Sequence, residues 1–439
     1  MTRVDTLFTG RVYYEGEFKE ACIGVEDGII SFIGKEANAP SYDEKIDFKG
    51  LFIIPGLIDI HAHLRGVRLK HKEDFFTGTC AAAAGGFTLV LDMPNTDPPT
   101  NSRLRMMEKV EEAETQIIVD TGFYFGRPEE ASEAEKLVKT RAIGLKLYPE
   151  DYSKKVQPSL VEIVNIVKRS NRKIVFHPED ISIIEQKRKA YPEMLRGVEK
   201  HSFIRPLEAE LSALDVFYKS FGTSAHATHL TSLESIMKAR VNGFTYDVSV
   251  NHLTLTDNDL LKLGGICKVN PPLRSPEEKQ RLVESLNNGM ITILTTDHAP
   301  HTLEEKNLTL YDEIPSGIPC FETAFPAILD MFHKTGLNIH AAIKAFTRGP
   351  AEFLGDRRLG AVTEGNLANL TVFDLKEEWK VRPEEFYTKA KYSPFAGRVL
   401  KGRVKATVIR GVVVFQDGEI KVQRGFGKIY GMGGINRSD

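Results

Sequence analysis

Apolar runs of β-type composition recur along the chain, separated by stretches in which apolar and charged residues alternate at helical spacing. The runs are LFIIPGLIDIHAH (51–63), FTLVLDMPN (87–95), IIVDTGFYFG (117–126), IGLKLYP (143–149), KIVFHPED (173–180), TSAHATHL (223–230), FTYDVSVNHL (244–253) and MITILTTDHAP (290–300). Between them, RLRMMEKVEEAET, PSLVEIVNIVKRS and SPEEKQRLVESLNN are each charged on one helical face and apolar on the other. Eight strand–helix units in roughly 250 residues predict an α/β fold of the (β/α)8 TIM-barrel type. A doubly wound sheet would carry G-x-G-x-x-G after its first strand, and that signature is missing there.

The two ends of the chain read differently. TLFTGRVYYEG, ACIGVEDGIISFIG and KIDFKG near the start, and GAVTEGNLANLTVFDL and KATVIRGVVVFQDGEIKV near the end, are short strands punctuated by turns. Two β-rich ends flanking a barrel predict one small β-sandwich built from both termini. The expected division is 1–53 and 356–439 for the sandwich and 54–355 for the barrel. The closing RGFGKIYGMGGINRSD, rich in Gly and Arg, reads as a tail or a latch.

Composition narrows the class of function. Hydrophobic residues make up 41% and charged residues 27%, the balance of a globular protein, and the net charge of −2 speaks against nucleic acid as a partner. Cys22, Cys80, Cys267 and Cys320 stand singly, which excludes a C-x-x-C zinc site and fits a reducing, cytoplasmic setting. No apolar run reaches the length of about 18 residues that a membrane span needs.

Polar residues fall at the C-terminal tips of the predicted strands, where barrel enzymes build their sites. The first run ends in His61 and His63, spaced i, i+2 and hence on one face. Lys146 lies in the fourth, His177 in the fifth, His229 in the sixth, and Asp297, His298 and His301 close the eighth. Each alone has an ordinary reading: a satisfied rim histidine, a snorkelling lysine, an aspartate capping a loop. Only 12 of 439 residues are histidine, so their gathering at corresponding strand ends is not background. Four imidazoles and one carboxylate suit Zn²⁺ or a similar ion. They are too many for one tetrahedral ion and too few for two. A desolvated Lys146 amine that captures CO₂ as a carbamate would complete a bridged pair, with a hydroxide between the metals.

Over nearly its whole length the sequence resembles the amidohydrolase superfamily, and within it the dihydroorotases. The resemblance runs through PGLIDIHAHLR (55–65), KEDFFTGTCAAAAGGFT (72–88), DMPNTDPPT (92–100), IGLKLYP (143–149), HATHLTS (226–232), KVNPPLR (268–274), TTDHAPH (295–301) and YSPFAGRVLKG (392–402). It implies two Zn²⁺ held by His61, His63, carboxylated Lys146, His177, His229 and Asp297, with Asp297 also the general acid–base. It further implies that Arg65, Asn95 and His301 grip a substrate carboxylate and that Asn270 contacts the ring. The implied reaction is reversible cyclisation of N-carbamoyl-L-aspartate to L-dihydroorotate in pyrimidine synthesis. A homo-oligomer, and association with aspartate carbamoyltransferase, belong to the same expectation.

The sequence departs from that pattern in places. Gly66-Val67-Arg68 stands where many dihydroorotases read Glu-Pro-Gly, and Pro319-Cys320 replaces a more usual Gly-rich turn. Thr228 stands where some relatives carry a third-zinc cysteine, which favours two metals, and Asp151 is the fallback for Lys146. The rival enzyme reading is a hydantoinase or allantoinase, whose substrates lack the carboxylate that Arg65, Asn95 and His301 would hold. The rival outside enzymology is a non-catalytic homologue serving as partner of aspartate carbamoyltransferase. Such homologues typically lose ligands, and all are present here.

Overall fold

A computed structural model describes residues 3–153 and 156–432. The chain opens with β1 (Arg3–Tyr14), β2 (Glu17–Glu26), β3 (Ile29–Gly34) and β4 (Ser41–Pro55). β1 and β2 form a hairpin across Glu15-Gly16, both at positive φ, the turn that matches right-handed strand twist. Gly56 alone then separates β4 from the next strand. A Cβ there would meet Thr88 Oγ1 at 2.4 Å, so only glycine lets the chain cross at this point.

The central strands follow: β5 (Leu57–Ala62), β6 (Phe87–Asp92), β7 (Asp120–Phe125), β8 (Gly144–Leu147), β9 (Lys173–Phe176), β10 (His226–Ala227), β11 (Thr245–Tyr246), β12 (Val248–Ser249) and β13 (Leu294–Thr295). β5 to β11 pair in sequence order in one parallel sheet, and β12 pairs with β13. Ala62 bridges His298, His63 N–H donates to the His298 carbonyl and Asp297 N–H to that of His61, so the last strand lies against the first and the sheet curls round. β5, β6 and β7 are buried at every position, the pattern of strands covered on both faces. Ile58, Ile60, Leu89, Leu91, Tyr124 and Ile143 pack inside the curl. Leu57, Phe87, Phe123, Leu145 and Phe176 face the surrounding helices instead.

The C-terminal part returns to the first sheet. β14 (Leu370–Lys380) pairs antiparallel with β4, and β15 (Val399–Ile409), β16 (Val412–Gln416) and β17 (Glu419–Ile420) extend the edge. The order is β17-β16-β15-β14-β4-β1-β2-β3, one sheet from both termini, with Phe8, Val12, Ile53, Leu370 and Val408 in its core. The Gly/Arg-rich stretch acts as a latch as far as it is described: β18 (Ile429–Tyr430) pairs with the start of β7, and Tyr430 enters the central core. Arg410 pairs there with buried Asp120, which also accepts the Lys428 N–H. Residues 433–439 of that stretch lie outside the described residues. No helix among the described residues is long and apolar enough to cross a membrane.

Candidate active site

The C-terminal ends of the central strands open onto a cavity of about 260 Å³. His61, His63, Arg65, Asn95, Lys146, His177, His229, Asn270, Asp297 and His301 all line it, so these candidates meet in one place. Lys146 sits in the cavity wall, whereas Asp151 accepts the Tyr148 N–H at 2.8 Å and caps the turn that follows. His298 turns away, stacking on Phe321 and accepting the Cys320 N–H at Nδ1.

Strand geometry sets the arrangement. His61 and His63 share a face of β5 and its end, with Asp297 Oδ1 lying 3.4 Å from His61 Nε2 and 3.3 Å from His63 Nε2. The three are buried, and one ligand atom from each falls within 4.8 Å of the others, a cluster able to hold a metal ion. The His229 ring lies 5.1 Å from that of His61 and 4.5 Å from that of His177. Nδ1 of His61 and Nδ1 of His229 are buried without a hydrogen-bond partner among the described residues. Burial pushes both imidazoles well below their usual pKa and leaves them neutral, the form that ligates metals. Neutral imidazoles with free nitrogens, clustered with the Asp297 carboxylate, fit a borderline metal such as zinc.

Lys146 is buried at 1% exposure and donates to Thr228 Oγ1 at 3.1 Å. Burial pulls its pKa down to about 7, with Asp247 and Asp297 opposing the shift, so a large share of the amine is neutral at neutral pH. The supporting contacts fix the ligands. Asn95 Oδ1 lies 2.7 Å from His63 Nδ1, which leaves His63 Nε2 facing Asp297. Glu179 Oε2 lies 2.6 Å from His177 Nε2 and is itself held by Arg205. Arg65, His229 and Asp297 adopt positive φ, a conformation that costs energy for residues with a Cβ and clusters at working sites.

The other end of the cavity is cationic. Arg65 is buried, donates from Nε to the Pro300 carbonyl at 3.1 Å and approaches His301 Nε2 at 3.1 Å. It has no ion-pair partner among the described residues. His301 Nδ1 lies 3.1 Å from Lys72 Nζ, and burial followed by Arg65 and Lys72 holds its pKa well below the usual range. A buried guanidinium without an anion is costly until one arrives.

Sequence reading passed over Glu179, Arg205 and Tyr148. Glu179 and Tyr148 each stand two residues beyond a candidate ligand, and that spacing was the available signal. Arg205 comes from the helical segment before Pro206, far from any strand end, and nothing in the local pattern marks it. Of the two departing loops, Gly66 is forced by space, since a Cβ there would meet the Phe75 ring at 2.5 Å. Ser316 and Gly317, before Pro319-Cys320, line the cavity.

Residues 52–414 match the model of the amidohydrolase family. A dihydroorotase from Methanothermobacter thermautotrophicus is 34% identical over 411 residues, covering 91% of this chain and 91% of its own. One from Thermococcus kodakarensis is 34% identical over 426 residues, covering 95% and 96%. Among solved structures, the L-hydantoinase (dihydropyrimidinase) from Arthrobacter aurescens superposes with a TM-score of 0.90 at 28% identity, covering 97% of this chain and 99% of that one. The dihydropyrimidinase from Brevibacillus agri, at 21% identity and a TM-score of 0.84, shares the fold. The chain belongs to the amidohydrolase family. Within that family it is a hydrolase of the dihydroorotase group.

Proposed function

We propose that this chain catalyses the reversible ring closure of N-carbamoyl-L-aspartate to L-dihydroorotate. The observation that carries this reading is Arg65, a buried guanidinium with no ion-pair partner among the described residues, lining the same cavity as the histidine–carboxylate cluster. A guanidinium fork recognises a carboxylate in a bidentate manner, and the ring of dihydroorotate carries one. His301, kept neutral, braces that fork, and Asn270, whose Oδ1 is buried and unpartnered among the described residues, would contact the ring.

His61, His63, His177, His229, Asp297 and Lys146 as a carbamate would hold two zinc ions. The orphaned Nδ1 atoms of His61 and His229 and the mixed imidazole–carboxylate set support this. Zinc bound there would supply Lewis-acid polarisation of the ring carbonyl and a hydroxide at neutral pH. A neutral Lys146 amine adds CO₂ and releases a proton to become the carbamate. In the hydrolytic direction Asp297 takes the proton of the attacking water and returns it to the leaving ring nitrogen. Its Oδ2 is available for that proton because Oδ1 already faces His61 and His63.

The same reading takes the curled sheet as a (β/α)8 barrel over 54–355 with a β-sandwich from 1–53 and 356–439. It also places the enzyme in the cytoplasm, a setting its four free, buried cysteines support. It includes a homo-oligomer associated with aspartate carbamoyltransferase, checked by light scattering with and without that protein. The structural likeness to hydantoinases keeps a hydantoin-opening activity as the second reading. Assays with L-dihydroorotate, hydantoin and allantoin in parallel, on metal-quantified protein, decide between them. Turnover of L-dihydroorotate is expected; turnover of hydantoin alone would overturn the substrate.

A further inference from the structure

Tyr148 lies two residues beyond Lys146, so both side chains leave the strand end on the same face. Lys146 Nζ is 5.6 Å from the Tyr148 ring centroid, and Tyr148 lines the cavity with Arg65 and Asn270. Its backbone is fixed: its N–H donates to Asp151 Oδ2 at 2.8 Å, and Pro149 begins the helical turn Pro149–Tyr152. Its hydroxyl oxygen is buried and without a hydrogen-bond partner among the described residues. Buried hydroxyls are nearly always satisfied, and an orphan at a cavity wall asks for a ligand. Tyr13 and Tyr124 also carry buried, unpartnered hydroxyls, but neither lines this cavity.

The chemistry around the hydroxyl names the ligand class. Arg65, a cation, lines the same cavity as Tyr148. Arg65 has no ion-pair partner among the described residues, and a phenol at neutral pH donates one proton. An unpartnered phenol and a guanidinium without an ion-pair partner among the described residues line one cavity, where one acceptor with several lone pairs would serve both. A carboxylate has about four such sites.

We propose that Tyr148 is a further substrate-contacting residue whose hydroxyl, together with Arg65, donates to the substrate's carboxylate. This rests on the dihydroorotase reading above. Tyr148→Phe removes the hydroxyl and keeps the ring, so the wall of the cavity stays intact. The wild type is assayed first with L-dihydroorotate, and absence of turnover there would overturn the activity reading. Given that turnover, Tyr148→Phe should raise KM for L-dihydroorotate and the inhibition constant of orotate by about tenfold, equal to about 1.4 kcal/mol. Its kcat should stay within twofold and its melting temperature should not fall, since an orphan hydroxyl has been removed. Unchanged KM and inhibition constant would overturn the role of Tyr148 while leaving the activity standing. A fall in kcat larger than the rise in KM would overturn it too, by placing the hydroxyl at the reacting carbonyl.

Discussion

Asp297 holds its place at φ +48°, a conformation that asparagine tolerates as readily as aspartate. Asp297→Asn should therefore fold normally and lose about 10²–10⁴-fold in kcat, the usual worth of a positioned acid–base group. Circular dichroism alongside steady-state kinetics checks both halves, and near-normal kcat would refute the proton-transfer role. Glu179 acts one step back, through its 2.6 Å contact with His177 Nε2. Glu179→Gln should weaken zinc binding by about 10–100-fold, read by competition with a chelator. At this scale much was legible. Each of His61, His63, Lys146, His177, His229 and Asp297 has an ordinary reading alone, but their gathering at corresponding strand ends made them stand out. Tyr148 and Glu179 did not, because an aromatic beside a strand and an acid before a helix have ordinary roles.

Among elements, the helices followed their pattern closely: Arg103–Glu114, Pro158–Arg169 and Pro276–Asn287 match the amphipathic stretches. The late strands did not. The apolar runs 223–230 and 290–300 give ladders only at His226–Ala227 and Leu294–Thr295. Side chains have taken over the backbone donors there. Asp247 accepts the His229 N–H at 2.9 Å and Asp59 the Thr296 N–H at 3.3 Å. Buried aspartates that replace ladder bonds leave no trace in a hydrophobic pattern. The helix Leu303–Lys306 ends in a second hidden device. Lys306 Nζ donates to the carbonyls of Lys268, Pro315 and Gly317, tying the wall that carries Asn270 to the wall that carries Gly317. Lys306→Met should raise KM more than it lowers kcat and cost about 1–3 kcal/mol of stability, because buried carbonyls lose their donor. Burial, with Lys268 second, lowers the Lys306 pKa from 10.5 to about 7. Between those values the unfolded chain holds a proton that the folded one releases, so this group makes stability rise with pH across that window. Denaturant titrations from pH 7 to 10 should show a shallower rise in Lys306→Met.

At the scale of the molecule, the pairing of both termini in one sheet was readable from their shared turn-rich texture, but the insertion of β18 beside β7 was not. A two-residue strand has no periodicity to detect. Tyr430 fills the lower end of the central core at 3% exposure, remote from the catalytic mouth. Tyr430→Ala should cost about 3 kcal/mol through the cavity it leaves, with KM unchanged, as chemical denaturation and kinetics together would show.

The β4–β14 seam also imposes an order of assembly. Leu57 N–H donates to Thr371 Oγ1 across 314 positions of sequence, beside the ladder that joins the two halves of the sheet. At about 5–20 residues per second, β4 leaves the ribosome on the order of tens of seconds before its partner is made. During that interval the Phe52–Pro55 edge that β14 will cover is an open template for any other strand. A translation product arrested before residue 370 would carry that edge permanently, and aggregation of such fragments, rather than loss of catalysis, is the first hazard this architecture creates.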